Sequence, residues 1–180
     1  ATNDMKIFYP ENNGREGLFI NIQAFSVAFW GNEPWALRSV SAFFGLLTVL
    51  GLYLLAKELF TRLQISKLQS SITEQIPDSK FQIPNSATII ALLSSFFIAT
   101  SFWHINFSRI GFRAITVPFL TTFSFYFLFR GFRRKKILDF VWSGIFMGLG
   151  FHTYIAFRIV PFVVIAVLIL KLIEIIRSAD

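Results

Sequence analysis

Three short stretches of this apolar chain hold side chains that could do chemistry. The first runs from Asp4 to Glu16 and carries the carboxylates Asp4, Glu11 and Glu16, beside Lys6 and Arg15. A carboxylate at the boundary of water and lipid serves as a general base when it reaches the proton it removes. The second runs from His104 to Arg113 and holds His104, Asn106, Arg109 and Arg113. The two arginines are four apart, so a continuous helical turn would put them on one face. Two guanidiniums there would grip a phosphate or diphosphate through their paired donors. The competing role is snorkelling to lipid headgroups. The third runs from His152 to Arg158, where His152 and Tyr154 offer hydrogen bonds to sugar hydroxyls and Arg158 adds a cation. An aromatic belt with an interfacial arginine would use the same residue types. Asn106-Phe107-Ser108 also fits a glycosylation sequon. His104 and His152 could pair with a carboxylate on a metal, but no close-spaced ligand motif is present. No cofactor is indicated, and a divalent metal stays open.

The rest of the chain must position these stretches. It has 180 residues, 54% hydrophobic, 18% aromatic and 15% charged, with 24 Phe and no Cys. A soluble domain is about 25% charged, so this composition cannot cover a water-facing surface. Soluble globular, disordered and disulfide-stapled classes are excluded. The absence of Cys removes thiolate metal sites, Cys nucleophiles and redox motifs.

The fold class expected is all-α: a polytopic membrane protein of five transmembrane helices, with an interfacial helix. A spanning helix needs about 20 apolar residues. The spans read as 36–60, 87–107, 110–129, 137–157 and 159–176, in one membrane domain over 1–180. Residues 1–35 read as an outer loop with a surface helix, Gly17 to Trp30, whose Leu18, Ile22, Phe25 and Phe29 share a face. Gly31-Asn32-Glu33-Pro34 makes a turn, with Asn32 or Glu33 as cap and Pro34 opening the next helix. Residues 61–86 read as a mobile cytoplasmic loop, rich in Gln and Ser and holding Pro77 and Pro84. Gly144 with Gly148, and Ser41 with Gly45, are spaced for close helix packing within the chain.

If the spans alternate, eleven of the 17 Lys and Arg residues fall on one face, including five in Arg130 to Lys136. That excess marks the cytoplasmic side. It also accounts for the net charge of +7 through topology and anionic lipid, with no nucleic acid needed. The three reactive stretches then share the outer face. Polar groups at membrane depth are costly unless they face a protein-lined cavity.

Glu33-Pro34-Trp35-Ala36-Leu37-Arg38, with the span ending Leu54-Leu55-Ala56-Lys57-Glu58-Leu59-Phe60, resembles the second span of the protein O-mannosyltransferase and aminoarabinose-transferase superfamily. Its members are membrane glycosyltransferases of GT-C fold. Ser108-Arg109-x-x-x-Arg113 resembles their Ser-Arg-Glu-Ala-Arg turn, although Ile110 stands where they have Glu. Phe102 to Phe119 looks like the version in bacterial mannosyltransferase-like members.

The resemblance implies a GT-C-like partial bundle in a bacterial plasma membrane, with its active face outside the cytoplasm. It implies transfer of a sugar from a polyprenyl-phosphate donor to an acceptor hydroxyl, with inversion. A first-loop carboxylate (Asp4, Glu11 or Glu16) would be base or base support. Arg109 and Arg113 would hold the leaving phosphate, with Arg15 or Arg158 assisting. His104, Asn106, His152 and Tyr154 would line the sugar or acceptor pocket. The family's catalytic Asp follows a first span, and Ala1 reads as a cut edge, so that Asp is expected upstream. The partners implied are a polyprenyl-phosphate-linked sugar, an unspecified acceptor and membrane lipid. The rival readings are a lipid-linked glycan flippase or transporter and a structural membrane subunit. A transporter should show ionisable or broken helices near mid-membrane.

Overall fold

The structure is a computed structural model and describes residues 6–10, 15–61 and 86–177. Asp4, Glu11 and the loop expected at 61–86, apart from its two end residues, lie outside the described residues.

The chain enters through two paired two-residue strands, β1 (Phe8–Tyr9) and β2 (Arg15–Glu16), antiparallel with Phe8 opposite Glu16. Helix α1 (Gly17–Trp30) follows at once. The Gly17 amide donates to the Ile7 carbonyl at 2.8 Å. A Cβ at Gly17 would overlap the Lys6 carbonyl oxygen, so the close approach needs glycine. Tyr9 Oη donates to Asn21 Oδ1 at 3.1 Å, and Asn21 Nδ2 donates to the Lys6 carbonyl at 3.1 Å. The strand pair is thereby strapped to the first turns of α1.

Helix α1 has the expected bounds. Phe19 and Ser26 are buried, whereas Phe25 and Phe29 are exposed. Apolar residues surround the helix, so periodicity alone does not select a face. Contact with α2 (Pro34–Phe60) does: Ser26 Oγ donates to the Ala36 carbonyl at 2.5 Å. Pro34 opens α2 as expected, and Glu33 precedes it without a side-chain cap bond. At 27 residues α2 is about 40 Å long, more than the hydrocarbon thickness. Its buried positions are Ala36, Val40, Ser41, Gly45, Thr48, Gly51 and Ala56. Small residues let neighbouring backbones come close, which is how helices attract one another in lipid.

Helices α3 (Ser86–Thr100) and α4 (Phe102–Arg109) replace the expected span 87–107 with a pair bent by 59°. The break is at Ser101, whose backbone is extended. Residues Arg113–Ile115 form a 3-10 turn into α5 (Thr116–Arg134), which runs past the expected end at 129. Helix α6 (Ile137–Gly150) stops seven residues before the expected 157. It has 14 residues, about 21 Å, and is too short to cross on its own. A second 3-10 turn, Ile155–Ile159, leads into α7 (Val160–Arg177).

Among the described residues the span count falls below five: three helical segments are long and apolar enough to cross a membrane, or four if the α3–α4 pair is one bent span. An all-α chain with these segments is a helical membrane protein. Apolar composition counted residues where continuity of the helix decides. Helix α6 ends at Gly150, where the Phe157 ring occupies the space a Cβ would need. Phe157 is fully buried there. Gly150→Ala is expected to lower stability by about 1–3 kcal/mol by overpacking this turn. Reversible unfolding in mixed micelles reads that loss.

The two small-residue pairs behave differently. Ser41 is fully buried, and Gly45 lies against Ser108 and His104. Gly144 and Gly148 have no atom within 4 Å of where a Cβ would sit, so among the described residues they pack against nothing. They lie on the open side of α6.

Polar contacts lock α2, α5 and α6, at mid-helix and at the end away from α1. Ser124 Oγ donates to the Ser143 carbonyl at 3.2 Å, and Ser143 Oγ returns a bond to the Ser124 carbonyl at 2.9 Å. Arg133 grips Glu58 with two donors, Nη2 to Oε2 at 2.7 Å. Arg130 grips Asp139, Nη2 to Oδ1 at 2.8 Å. Two of the five basic residues in this turn are thus consumed inside the fold.

Candidate functional site

The carboxylate, the arginine and the tyrosine that the fold brings together come from three distant segments. Glu16 ends β2, Arg113 opens the 3-10 turn before α5, and Tyr154 precedes the second 3-10 turn. Beneath them Phe19, Val40 and Ile115 form a buried cluster, with Ile22, Phe44 and Phe107 packed around it. This cluster joins α1, α2, α4 and the turn carrying Arg113. The positions of Glu16 and Arg113 are therefore fixed by apolar packing directly below.

Arg113 Nη1 donates to Glu16 Oε2 at 2.8 Å, with side chains 22% and 14% exposed. At that exposure the pair is half out of water, and its attraction is stronger than at an open surface. The guanidinium carbon lies 5.4 Å from the centre of the Tyr154 ring, a cation–π distance. Phe112 meets the same ring edge-on at 6.0 Å and stacks on Phe107 at 5.5 Å. The third stretch is also tied in through its backbone: the Leu18 amide donates to the His152 carbonyl at 3.3 Å. Arg113 offers five donors, and Glu16 takes one at Nη1. Among the described residues the Nε edge of the fork is not engaged. The arrangement is a carboxylate base candidate held beside a cation with spare donors, at the end of the membrane helices.

The other candidates stand apart. Arg109 is the last residue of α4 and is exposed. Gly111 follows in left-handed backbone (φ 76°), which ends the helix and turns the chain. Arg109 and Arg113 consequently sit on separate elements and do not share a helical face. His104 is engaged between α4 and α2, its Nε2 3.1 Å from the Gly45 carbonyl. Asn106 is half-buried, whereas the His152 side chain and Arg158 are exposed. Arg15 belongs to β2, and its side chain lies outside the description. Among the described residues no three His, Cys, Asp or Glu gather as metal ligands.

A cavity of about 510 Å³ lies between α1 and α2, lined by Ile22, Phe25, Phe29, Val40 and Phe43. It is apolar: Ser26 and Ser39, also in its wall, both donate to the Ala36 carbonyl. It offers room for a hydrocarbon chain but no polar group to orient chemistry.

Asp139 and Glu58 were not among the sequence-derived candidates, yet each is an ion-pair partner for an arginine of the basic turn. The available signal was the place of Asp139 and Glu58 at the edges of apolar spans, beside basic residues. No protein-family model matches this chain, and neither a curated protein nor a solved structure shows significant similarity to it.

Proposed function

We propose that this chain is part of a membrane glycosyltransferase that moves a sugar from a polyprenyl-phosphate donor to an acceptor hydroxyl, working on the non-cytoplasmic face. The observation that carries the reading is the meeting of Glu16, Arg113 and Tyr154 at one end of the bundle, with Glu16 and Arg113 97 residues apart in sequence. The resemblance of the Ser108 to Arg113 turn and of the α2 sequence to lipid-phosphate sugar transferases supports it. In this reading Arg113 holds the departing phosphate through its spare donors, and Glu16 removes the acceptor proton. The new bond forms between acceptor oxygen and anomeric carbon as the bond to the phosphate oxygen breaks. The proton passes to the Glu16 carboxylate, and the negative charge stays on the polyprenyl phosphate. A fixed cation at the developing charge lowers the barrier because it needs no reorganisation. Tyr154 holds the guanidinium plane. Arg109, Arg158 and His152, all exposed, are left for the headgroup of the donor or for the acceptor.

Glu16→Gln keeps the shape and an oxygen for Arg113 but cannot take the proton. Transfer by the full-length protein is expected to fall by about 10²–10⁴, with membrane insertion unchanged. A radiolabelled-sugar assay in membranes reads this directly. Wild-type turnover in that variant would remove Glu16 as base.

A structural reading is favoured by one observation: Arg113 already has its charge balanced by Glu16. On that reading the pair merely fastens the β1–β2 segment to the 3-10 turn, and the two readings part in the double variant E16Q/R113M. The topology is tested separately. Lys135→Cys is expected to resist a membrane-impermeant thiol reagent added outside intact cells. Labelling from outside would reverse the orientation.

A further inference from the structure

The fold sorts the five basic residues between α5 and α6 into two groups. Arg130 and Arg133 turn inward onto Asp139 and Glu58. Arg134, Lys135 and Lys136 are exposed, and among the described residues none of the three has a carboxylate partner. Lys135 takes left-handed backbone (φ 53°), which ends α5. Lys136 then precedes α6 as an N-cap with no side-chain cap bond. Directly beyond the cations, Ile137 and Leu138 are 75% and 65% exposed. Leu138, Val141, Trp142, Ile145 and Leu149 continue along α6, all exposed. Their spacing (i, i+3, i+4, i+7, i+11) puts them on a single stripe. Three uncompensated cations therefore stand at the head of an open hydrocarbon track.

We propose that this junction binds one anionic phospholipid, its phosphate held by Arg134, Lys135 and Lys136 and an acyl chain laid along the α6 stripe. Charge complementarity selects the head, and the stripe selects the tail. A neutral lipid would fit the stripe and leave the cations unmatched. RNA or an acidic peptide would match the cations but would lie against Ile137 and Leu138 with no apolar surface to cover them. The proposal is independent of the sugar-transfer reading.

The test uses the full-length protein in phosphatidylcholine vesicles with trace spin-labelled phosphatidylglycerol or spin-labelled phosphatidylcholine. The expected immobilised fraction is at least about threefold larger for phosphatidylglycerol at low salt, and the preference falls as salt rises. R134Q/K135Q/K136Q should bring the ratio close to one, and K136Q alone to an intermediate value. K57Q/R177Q, which removes two exposed cations elsewhere, should keep the preference. The side chains changed in the triple variant are exposed, and the Arg130–Asp139 and Arg133–Glu58 pairs remain to hold the helices. An undiminished ratio in the triple variant, or an equal loss in K57Q/R177Q, would overturn the site. Displacement of the labelled lipid by a short RNA added to wild-type vesicles would also overturn it, in favour of a polyanion surface.

Discussion

Replacing Arg113 with Ala is expected to abolish sugar transfer by the full-length protein, by about 10³-fold or more, while the chain still inserts into the membrane. Loss of a single preorganised donor to a developing oxyanion costs about 10²–10³ in turnover. Arg113 would bring a full charge as well. The change also strands Glu16, whose side chain is 14% exposed and bonded to Arg113 at 2.8 Å. An unpaired half-buried carboxylate costs stability, so activity alone does not separate chemistry from packing. The double variant E16Q/R113M does. It removes both charges and keeps the apolar fill, and is expected to restore the stability lost in Arg113→Ala. If the pair were only a fastener, transfer would return with stability. The proposed chemistry requires that transfer stay absent.

The largest effect on stability is expected at the other end of the bundle. Asp139 is 2% exposed; its Oδ1 accepts from Arg130 Nε at 3.0 Å and lies 2.8 Å from Nη2 in an ion pair. Arg130 also donates to Tyr126 Oη at 3.1 Å and lies 5.1 Å from the centre of the Phe127 ring. Asp139→Ala would leave that guanidinium among aromatic rings without its counter-charge, at a cost of about 3–5 kcal/mol. Asp139→Asn should cost clearly less. Its oxygen can keep the Arg130 bond, and Oδ2 has no hydrogen-bond partner among the described residues to lose. Glu58→Ala should also cost less, because Arg133 is 35% exposed and can reach water. Unfolding in mixed micelles titrated with dodecyl sulfate ranks the three. A loss below about 0.5 kcal/mol for Asp139→Ala would mean that the pair contributes nothing to the α5–α6 lock.

These sites differ in how far the sequence disclosed them. The bounds of α1 and the start of α2 were legible because Gly31-Asn32-Glu33-Pro34 punctuates the chain locally. The small-residue seam of α2 was legible in part, through Ser41 and Gly45. The breaks at Ser101 and after Gly150 were not, because Thr100-Ser101 and His152-Thr153 are short, uncharged interruptions that an apolar count absorbs into a span. Hydropathy measures what lipid tolerates and carries no signal for a lost helical hydrogen bond. The side of α1 that meets α2 was not legible, because a helix apolar on every side lets the neighbouring helix choose. At the candidate site, residue types were readable and partners were not. Glu16 and Arg113 are 97 residues apart, and the fold alone supplies their contact. Arg109 shared a spacing with Arg113 but not an element, because Gly111 turns the chain between them.

Sugar transfer as proposed requires Arg113 and Glu16 to form a site for a lipid phosphate instead of a fastener. Equilibrium binding of a polyprenyl phosphate to the full-length protein in nanodiscs, wild type against E16Q/R113M, tests this most directly. The account predicts that binding weakens by at least about tenfold when the guanidinium is gone, in a variant that stays folded. Equal affinity in the two proteins would contradict it.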